Sequence, residues 1–280
     1  MTTSTTKPTL SFFGATGGCT LACLAPALQA GYNCIALVRS PQKLTDQLKA
    51  RNILPSTLSA HLTLIEGSTS DLSAIKQTLF PSHIPHPSMI LSGVGGRPDF
   101  SNPLKPKFVG DTVCQDTVRN ILTVLRDHSK PETPREFKPV LVCISTTGIT
   151  KERDIPLAMV PLYMTLKTPH ADKKVMEGLV FEEMGRPESE RVIGDYVLIR
   201  PSYLTDGESK ADKVRVMKGQ GEGQNTAVGM ACPFVGYTIC REDVGGFIFG
   251  LVEGLDRDWY GDNAEAKGRD FFGSVVSISH

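Results

Sequence analysis

Leu10–Gly31 reads LSFFGATGGCTLACLAPALQAG. An apolar run, with Leu10, Phe12 and Phe13, leads into Gly14-Ala15-Thr16-Gly17-Gly18-Cys19-Thr20. Apolar residues then recur at helical spacing (Leu21, Leu24, Ala25, Leu28), and Gly31 stands where a helix-ending C′ glycine belongs. The order is strand, glycine turn, helix. Glycines let the backbone turn tightly and approach a pyrophosphate, and the free N–H groups and dipole of a helix N-terminus favour its charge. No Gly-Lys-Ser/Thr follows, so a Walker A loop is excluded. The stretch predicts a dinucleotide cradle formed by Gly14, Thr16, Gly17, Gly18, Cys19 and Thr20.

The next strand, Asn33–Val38, ends at Arg39-Ser40. In a dinucleotide fold this strand end meets the adenosine ribose, where an acid takes a 2′-hydroxyl and an arginine accommodates a 2′-phosphate. Arg39, Ser40 and Lys43 precede the first acid, Asp46, which favours NADP(H) over NAD(H). Downstream, helix Lys43–Arg51, strand His61–Glu66, helix Leu72–Leu79 capped by Asp71, and strand Met89–Leu91 follow in turn. Strand ends at Gly67-Ser68 and at Ser92-Gly93-Val94-Gly95 supply further cofactor-edge positions. Asp99–Gly110 reads as irregular, Asp111–His128 as an amphipathic helix and Pro139–Ile144 as a buried parallel strand. A helix over Pro169–Gly185, a strand at Tyr196–Ile199, a helix over Arg241–Leu255 and a strand at Phe272–Ile278 complete the pattern. Glu208–Met230, rich in Gly, Lys and Gln, reads as a mobile segment or short hairpin. Alternating strands and helices predict an α/β fold with a doubly wound parallel sheet.

Length and composition agree with one such domain. The chain has 280 residues, 40% hydrophobic and 21% charged, with 30 basic and 30 acidic side chains and zero formal net charge. Nothing in that balance calls for nucleic acid or an anionic membrane. The seven cysteines include no Cys-x-x-Cys pair. His83 and His86 are separated by Pro85, so no metal is expected there. Met1–Pro8 lacks the apolar core of a signal peptide, and no run is long enough to span a membrane, so a cytoplasmic location is expected. Nothing in the residues specifies an oligomeric state.

Four segments together resemble the atypical short-chain dehydrogenase/reductases, specifically the NmrA-like, NAD(P)-binding group common in fungi. They are Gly14-Ala-Thr-Gly17-Gly18, Val38-Arg39-Ser40, Arg200-Pro201 with Leu204-Thr-Asp-Gly207, and Arg241-Glu-Asp-Val244. The resemblance runs from Leu10 to about Leu255. It implies a Rossmann domain with a small C-terminal substrate lobe, formed mainly by 149–168 and 203–240. It also implies cofactor contacts at Pro201, Tyr203 and Leu204. Two residues depart from the family. Thr20 replaces the third fingerprint glycine and should push the helix outward. Pro26 lies inside that helix and removes a hydrogen bond.

Members of the family pair a tyrosine with a lysine four residues on, and place a hydroxyl residue to orient substrate. Tyr163 and Lys167 have that spacing, but upstream of the helix that should carry it. Lys173, in that helix, fits the family's cofactor lysine better, with Tyr163 or His170 supplying a proton. Ser145 or Thr146 would orient the substrate oxygen. The expected activity is NADPH-dependent reduction of a small or medium carbonyl or enone, plausible for a secondary-metabolite intermediate. Pro156, Leu157, Met159, Leu162 and Met164 point to an apolar or aromatic substrate. A non-redox isomerase or cyclase, and an NADP(H)-binding regulator without turnover, are the alternative readings of the same fold.

Overall fold

β1 (Thr9–Phe13) is buried along its whole length, and its last two residues show why. Phe12 packs into the core on one face of the sheet and Phe13 into the core on the other, because successive strand side chains point to opposite faces. The computed structural model describes residues 7–99, 107–128, 138–150, 153–219, 235–257 and 269–280.

The elements follow the expected alternation. After β1 come α1 (Gly18–Gln29), β2 (Cys34–Val38), α2 (Pro41–Ala50), α3 (Pro55–His61), β3 (Leu62–Glu66), α4 (Leu72–Leu79) and β4 (Pro87–Ser92). A short antiparallel pair, β5 (Arg97–Asp99) and β6 (Lys107–Val109), overlaps the Asp99–Gly110 stretch expected to be irregular, with β6 inside it. Then come α5 (Val113–His128), β7 (Val140–Ile144), α6 (Val160–Met164), α7 (Lys167–Met184) and β8 (Asp195–Pro201). The remaining elements are β9 (Tyr203–Thr205), β10 (Arg215–Lys218), β11 (Thr238–Cys240), α8 (Arg241–Arg257) and β12 (Ser274–Ser279).

The main sheet has eight strands in the order β10-β12-β8-β7-β4-β1-β2-β3. All neighbours are parallel except β10 against β12. The chain leaves β1 toward β2 and β3, then returns to place β4 on the other side, so a crevice opens between the carboxyl ends of β1 and β4. Helices α1 and α8 cover one face with Leu24, Leu28, Ile248 and Leu251. The opposite face is covered from α4, α5 and α7 by Ile75, Val118, Ile121 and Val180. No helix among the described residues is long and apolar enough to cross a membrane.

The C-terminal half differs from expectation in one respect. Part of Glu208–Met230, expected to be a mobile segment or short hairpin, is β10, which extends the main sheet as an antiparallel edge strand. Residues 220–230 of that segment lie outside the described residues. A two-stranded parallel sheet of β9 and β11 holds the start of the 203–240 segment against the sheet's carboxyl edge. α1 also tolerates Pro26: the helix continues to Gln29, and Gly31 takes φ +81° just beyond its end.

Candidate functional site

The glycine turn after β1 is fitted to its surroundings atom by atom. Gly14 has φ +81°, and a Cβ there would lie 2.9 Å from the carbonyl carbon of Gly93. Only glycine allows both the turn and this approach to the loop after β4. Thr20 Oγ1 donates to Gly14 O (2.5 Å) and reaches Gly17 O (2.9 Å), locking the turn. Its methyl occupies space that Gly93 leaves open, since a Cβ on Gly93 would sit 2.5 Å from Thr20 Cγ2. The structure therefore makes room for the threonine in the neighbouring loop, where an outward shift of the helix was expected.

The N-terminus of α1 is bare. Gly17 provides no side-chain cap and the first turn contains no acidic residue. Its first amides have no acceptor within the helix. This donor set suits a pyrophosphate, and the residues around it fit a dinucleotide. Cys19 is a lining residue here, because burial pushes its thiol up to about 12 and keeps it protonated.

At the end of β2, Arg39 and Ser40 are exposed. Ser40 Oγ accepts from Lys43 N (3.4 Å) and caps α2, whose first turn has no acid. One strand over, Gly67 N donates to Val38 O (2.9 Å), and Ser68 pairs with Ser70. The 2′-position of a ribose at this edge would thus meet the exposed cations Arg39 and Lys43.

Across the crevice, Ser92 ends β4 as a buried residue, and Gly93 N donates to Phe13 O (3.0 Å). Gly95 lies beyond it with open space around its Cα. Lys173 Nζ reaches over from α7 and donates to Val94 O and Ile144 O, at the carboxyl ends of β4 and β7. Asp172 beside it caps α5, accepting from Cys114 N and Gln115 N at 2.9 Å each. This pins the start of α7 and with it the lysine.

The hydroxyl residues after β7 divide by strand periodicity. Ser145 and Thr147 continue the pairing with β8, their amides donating to Ile199 O and Pro201 O. Both are buried; Ser145 Oγ has no partner among the described residues. Thr146 is half-buried, with its hydroxyl on Thr147 O. Sequence reasoning paired the adjacent Ser145 and Thr146 and passed over Thr147, although an extended chain turns alternate residues the same way. Thr147 Oγ1 lies 3.0 Å from the Tyr163 hydroxyl and 3.3 Å from Pro201 O. A proton on Thr147 satisfies the carbonyl, which leaves Tyr163 as the donor of the pair.

Tyr163 sits on α6, separate from α7, and is 7% exposed. Burial raises its pKa more than the Thr147 hydrogen bond lowers it, and the nearby Asp154 charge pushes the same way as burial. It is therefore a phenol. His170, 5.4 Å away ring to ring, is held neutral by burial, and its Nε2 has no partner among the described residues. Both line a cavity of about 390 Å³ with Gly148, Ile155, Val160, Met164 and Lys167. Lys167 is exposed at the mouth, whereas Lys173 lies at the strand ends.

Several neighbours escaped sequence reasoning. Arg200 and Glu177 form a buried bidentate pair, with Nε–Oε1 at 2.9 Å and Nη2–Oε2 at 2.5 Å, at the foot of the Pro201 turn. Pro201 is buried, while Tyr203 is exposed and Leu204 half-buried on β9. Asp154 is 2% exposed, accepts from Gly148 N (2.9 Å), and has its pKa raised by burial. Cys240, Asp243 and His280 bring ligand-type atoms within 4.8 Å of one another. Asp243 also accepts from Ser209 Oγ (2.5 Å) and Lys210 N (2.9 Å), so the cluster ties three separated segments together. Cys240 and Asp243 are three residues apart, but Ser209 and His280 lie far from them in the chain, which hides the cluster from any spacing rule.

No protein-family model matches the chain. Reductase pytE of Aspergillus terreus is 46% identical over 287 residues, covering 99% of this chain and all of that protein. Oxidase pynE of Aspergillus niger is 36% identical over 270 residues, covering 87% of this chain and 92% of that one. Among solved structures, the oxidoreductase ylbE of Lactococcus lactis aligns with a TM-score of 0.59, covering 97% of this chain and 90% of that one at 14% identity. ChuY, an anaerobillin reductase of Escherichia coli, aligns at 0.58, covering 98% and 97% at 16% identity. These two likenesses concern the fold.

Proposed function

This chain belongs to the oxidoreductase family of its two Aspergillus relatives, and on that premise we propose that it is an NADPH-dependent reductase of an apolar carbonyl or enone. One observation carries the reading. A buried phenol, Tyr163, and a lysine clamped between two strand-end carbonyls, Lys173, flank the carboxyl edge of the sheet beside the bare N-terminus of α1.

The bound nicotinamide would supply a hydride to the substrate carbon. The protein's part is positioning and the proton. The turn Gly14–Thr20 would hold the pyrophosphate on the α1 amides, and Arg39 with Lys43 would receive the 2′-phosphate. Lys173 would exchange a carbonyl partner for the nicotinamide ribose. Tyr163 would turn its O–H from Thr147 to the substrate oxygen and donate the proton, and the resulting phenolate would regain one from solvent in the open cavity. Burial keeps Tyr163 protonated, the form in which it can give a proton to a substrate oxygen. The apolar wall of Ile155, Val160 and Met164 supports an apolar or aromatic substrate. The NmrA-like resemblance extends this to an intermediate of secondary metabolism.

Titration of the purified protein with NADPH and NADH, followed by NADPH consumption against a panel of cyclic and aromatic enones, tests the reading. Tight NADPH binding with turnover of at least one panel member is expected. Failure to bind either nucleotide would overturn it.

A further inference from the structure

Two helices begin at the same point on the carboxyl edge. α8 packs on α1 through Gly245, where any Cβ would overlap Ala22, and this brings Arg241, the first residue of α8, over Gly18, the first residue of α1. The arginine stem crosses Gly18 so closely that a Cβ there would overlap its Cδ and would lie 3.3 Å from its Cβ and Cγ. Gly18 is thus glycine because of Arg241. The Arg241 side chain is one-third exposed, and its charge opposes the effect of burial on the Cys19 thiol. Its Nη1 lies 2.7 Å from Asp206 Oδ1, and that aspartate is 90% exposed. The next acid, Glu242, is engaged by Arg51.

We propose that Arg241 is a cofactor-binding residue: it grips the pyrophosphate of the dinucleotide, exchanging Asp206 for a phosphate oxygen. The inference rests on the dinucleotide reading above. The reasoning is electrostatic. A cation packed against a bare helix N-terminus raises the local positive potential, and among the described residues it is held there by a single solvent-exposed carboxylate. An exposed aspartate is a weak partner that a doubly charged pyrophosphate displaces, and a planar guanidinium can take two phosphate oxygens at once. Asp206 then serves as a placeholder that keeps the side chain across Gly18 in the free protein.

Calorimetric titration of the full chain with NADPH and with NADH separates this role from that of Arg39. Arg241→Met keeps the aliphatic stem over Gly18 and removes only the guanidinium; circular dichroism confirms that it folds. It should weaken both nucleotides by the same factor, about tenfold or more. Arg39→Ala should weaken NADPH alone. Asp206→Asn, which frees the guanidinium, should tighten both. If the wild type binds and Arg241→Met binds both nucleotides within threefold of it, or loses NADPH selectively, the proposal is wrong. If the wild type binds neither nucleotide, the dinucleotide reading itself fails and takes this one with it.

Discussion

A proton donor is defined by what its hydrogen is doing before substrate arrives. Tyr163 spends its hydrogen on Thr147, whose own is spent on Pro201 O, so the chain of donated hydrogens runs from Tyr163 at the cavity inward to the backbone. Tyr163→Phe should therefore lower kcat by about 10²–10⁴-fold while leaving NADPH affinity unchanged, as checked by steady-state kinetics alongside a binding titration. Thr147→Val frees the phenol from its acceptor and leaves it less well oriented. A fall in kcat smaller than that of Tyr163→Phe, with an unchanged NADPH dissociation constant, is the expected outcome. The 2′-phosphate prediction also belongs to single side chains. Arg39→Asp should cost NADPH about tenfold in affinity and NADH little, and equal losses for both nucleotides would contradict it. The Arg200–Glu177 pair is different in kind. Both partners are buried, so Glu177→Ala removes the bidentate acceptor of a buried guanidinium. A loss of about 3–5 kcal/mol in urea denaturation is expected.

At the level of elements, the turn after β1 and the loop after β4 act as one interlocked joint. Gly93→Ala would drive a methyl against Thr20 Cγ2 at 2.5 Å and Ile144 Cδ1 at 3.1 Å. It should destabilise by about 1–3 kcal/mol. Thr20→Ser removes the offending methyl and keeps the hydroxyl bonds, so the double variant should recover part of that loss. Strict additivity in thermal melts would show that the two residues do not share the space. The same joint shows what a sequence can reveal. Strand, glycine turn and helix were legible because their period and punctuation are local: β1, α1, β2, α4 and α5 lie where apolar spacing and caps predict them. The dependence of Gly93 on Thr20 was invisible, because it links residues far apart in the chain through a packing distance. α3 was missed because its short run, PSTLSAH, buries nothing and carries no apolar stripe. Thr147 was passed over for a simpler reason. Three hydroxyl residues in a row hide the two-residue period that would have singled it out.

At the scale of the whole molecule, the Asp243 cluster fastens Ser209 and Lys210, Cys240, and His280 to the head of α8. Burial opposes its charge, but hydrogen bonds from Cys240, Ser209, Lys210 N and His280 prevail and hold the carboxyl at about 2. An unfolded aspartate titrates near ~3.9, so the bound carboxylate stabilises the fold by about 2 kcal/mol above that pH. This contribution is lost as pH falls from about 4 toward the folded value. Urea midpoints of the wild type and Asp243→Asn should differ by a constant amount above pH ~5 and converge below pH ~4. A gap that persists at low pH would remove the linkage. The sheet order carries a consequence for the history of the molecule. β12, residues 274–279, is inserted between β8 and β10, which precede it by scores of residues. On a translating ribosome, β8 must wait with one side open, and β10 has nothing to pair with until β12 emerges. The nascent chain can close the β1–β4 half of its sheet early, yet it keeps an adhesive strand edge on display until β12 is made. For this protein the hazard of misassociation lasts from the emergence of β8 to that of β12, the interval in which a chaperone covering β8 would matter most.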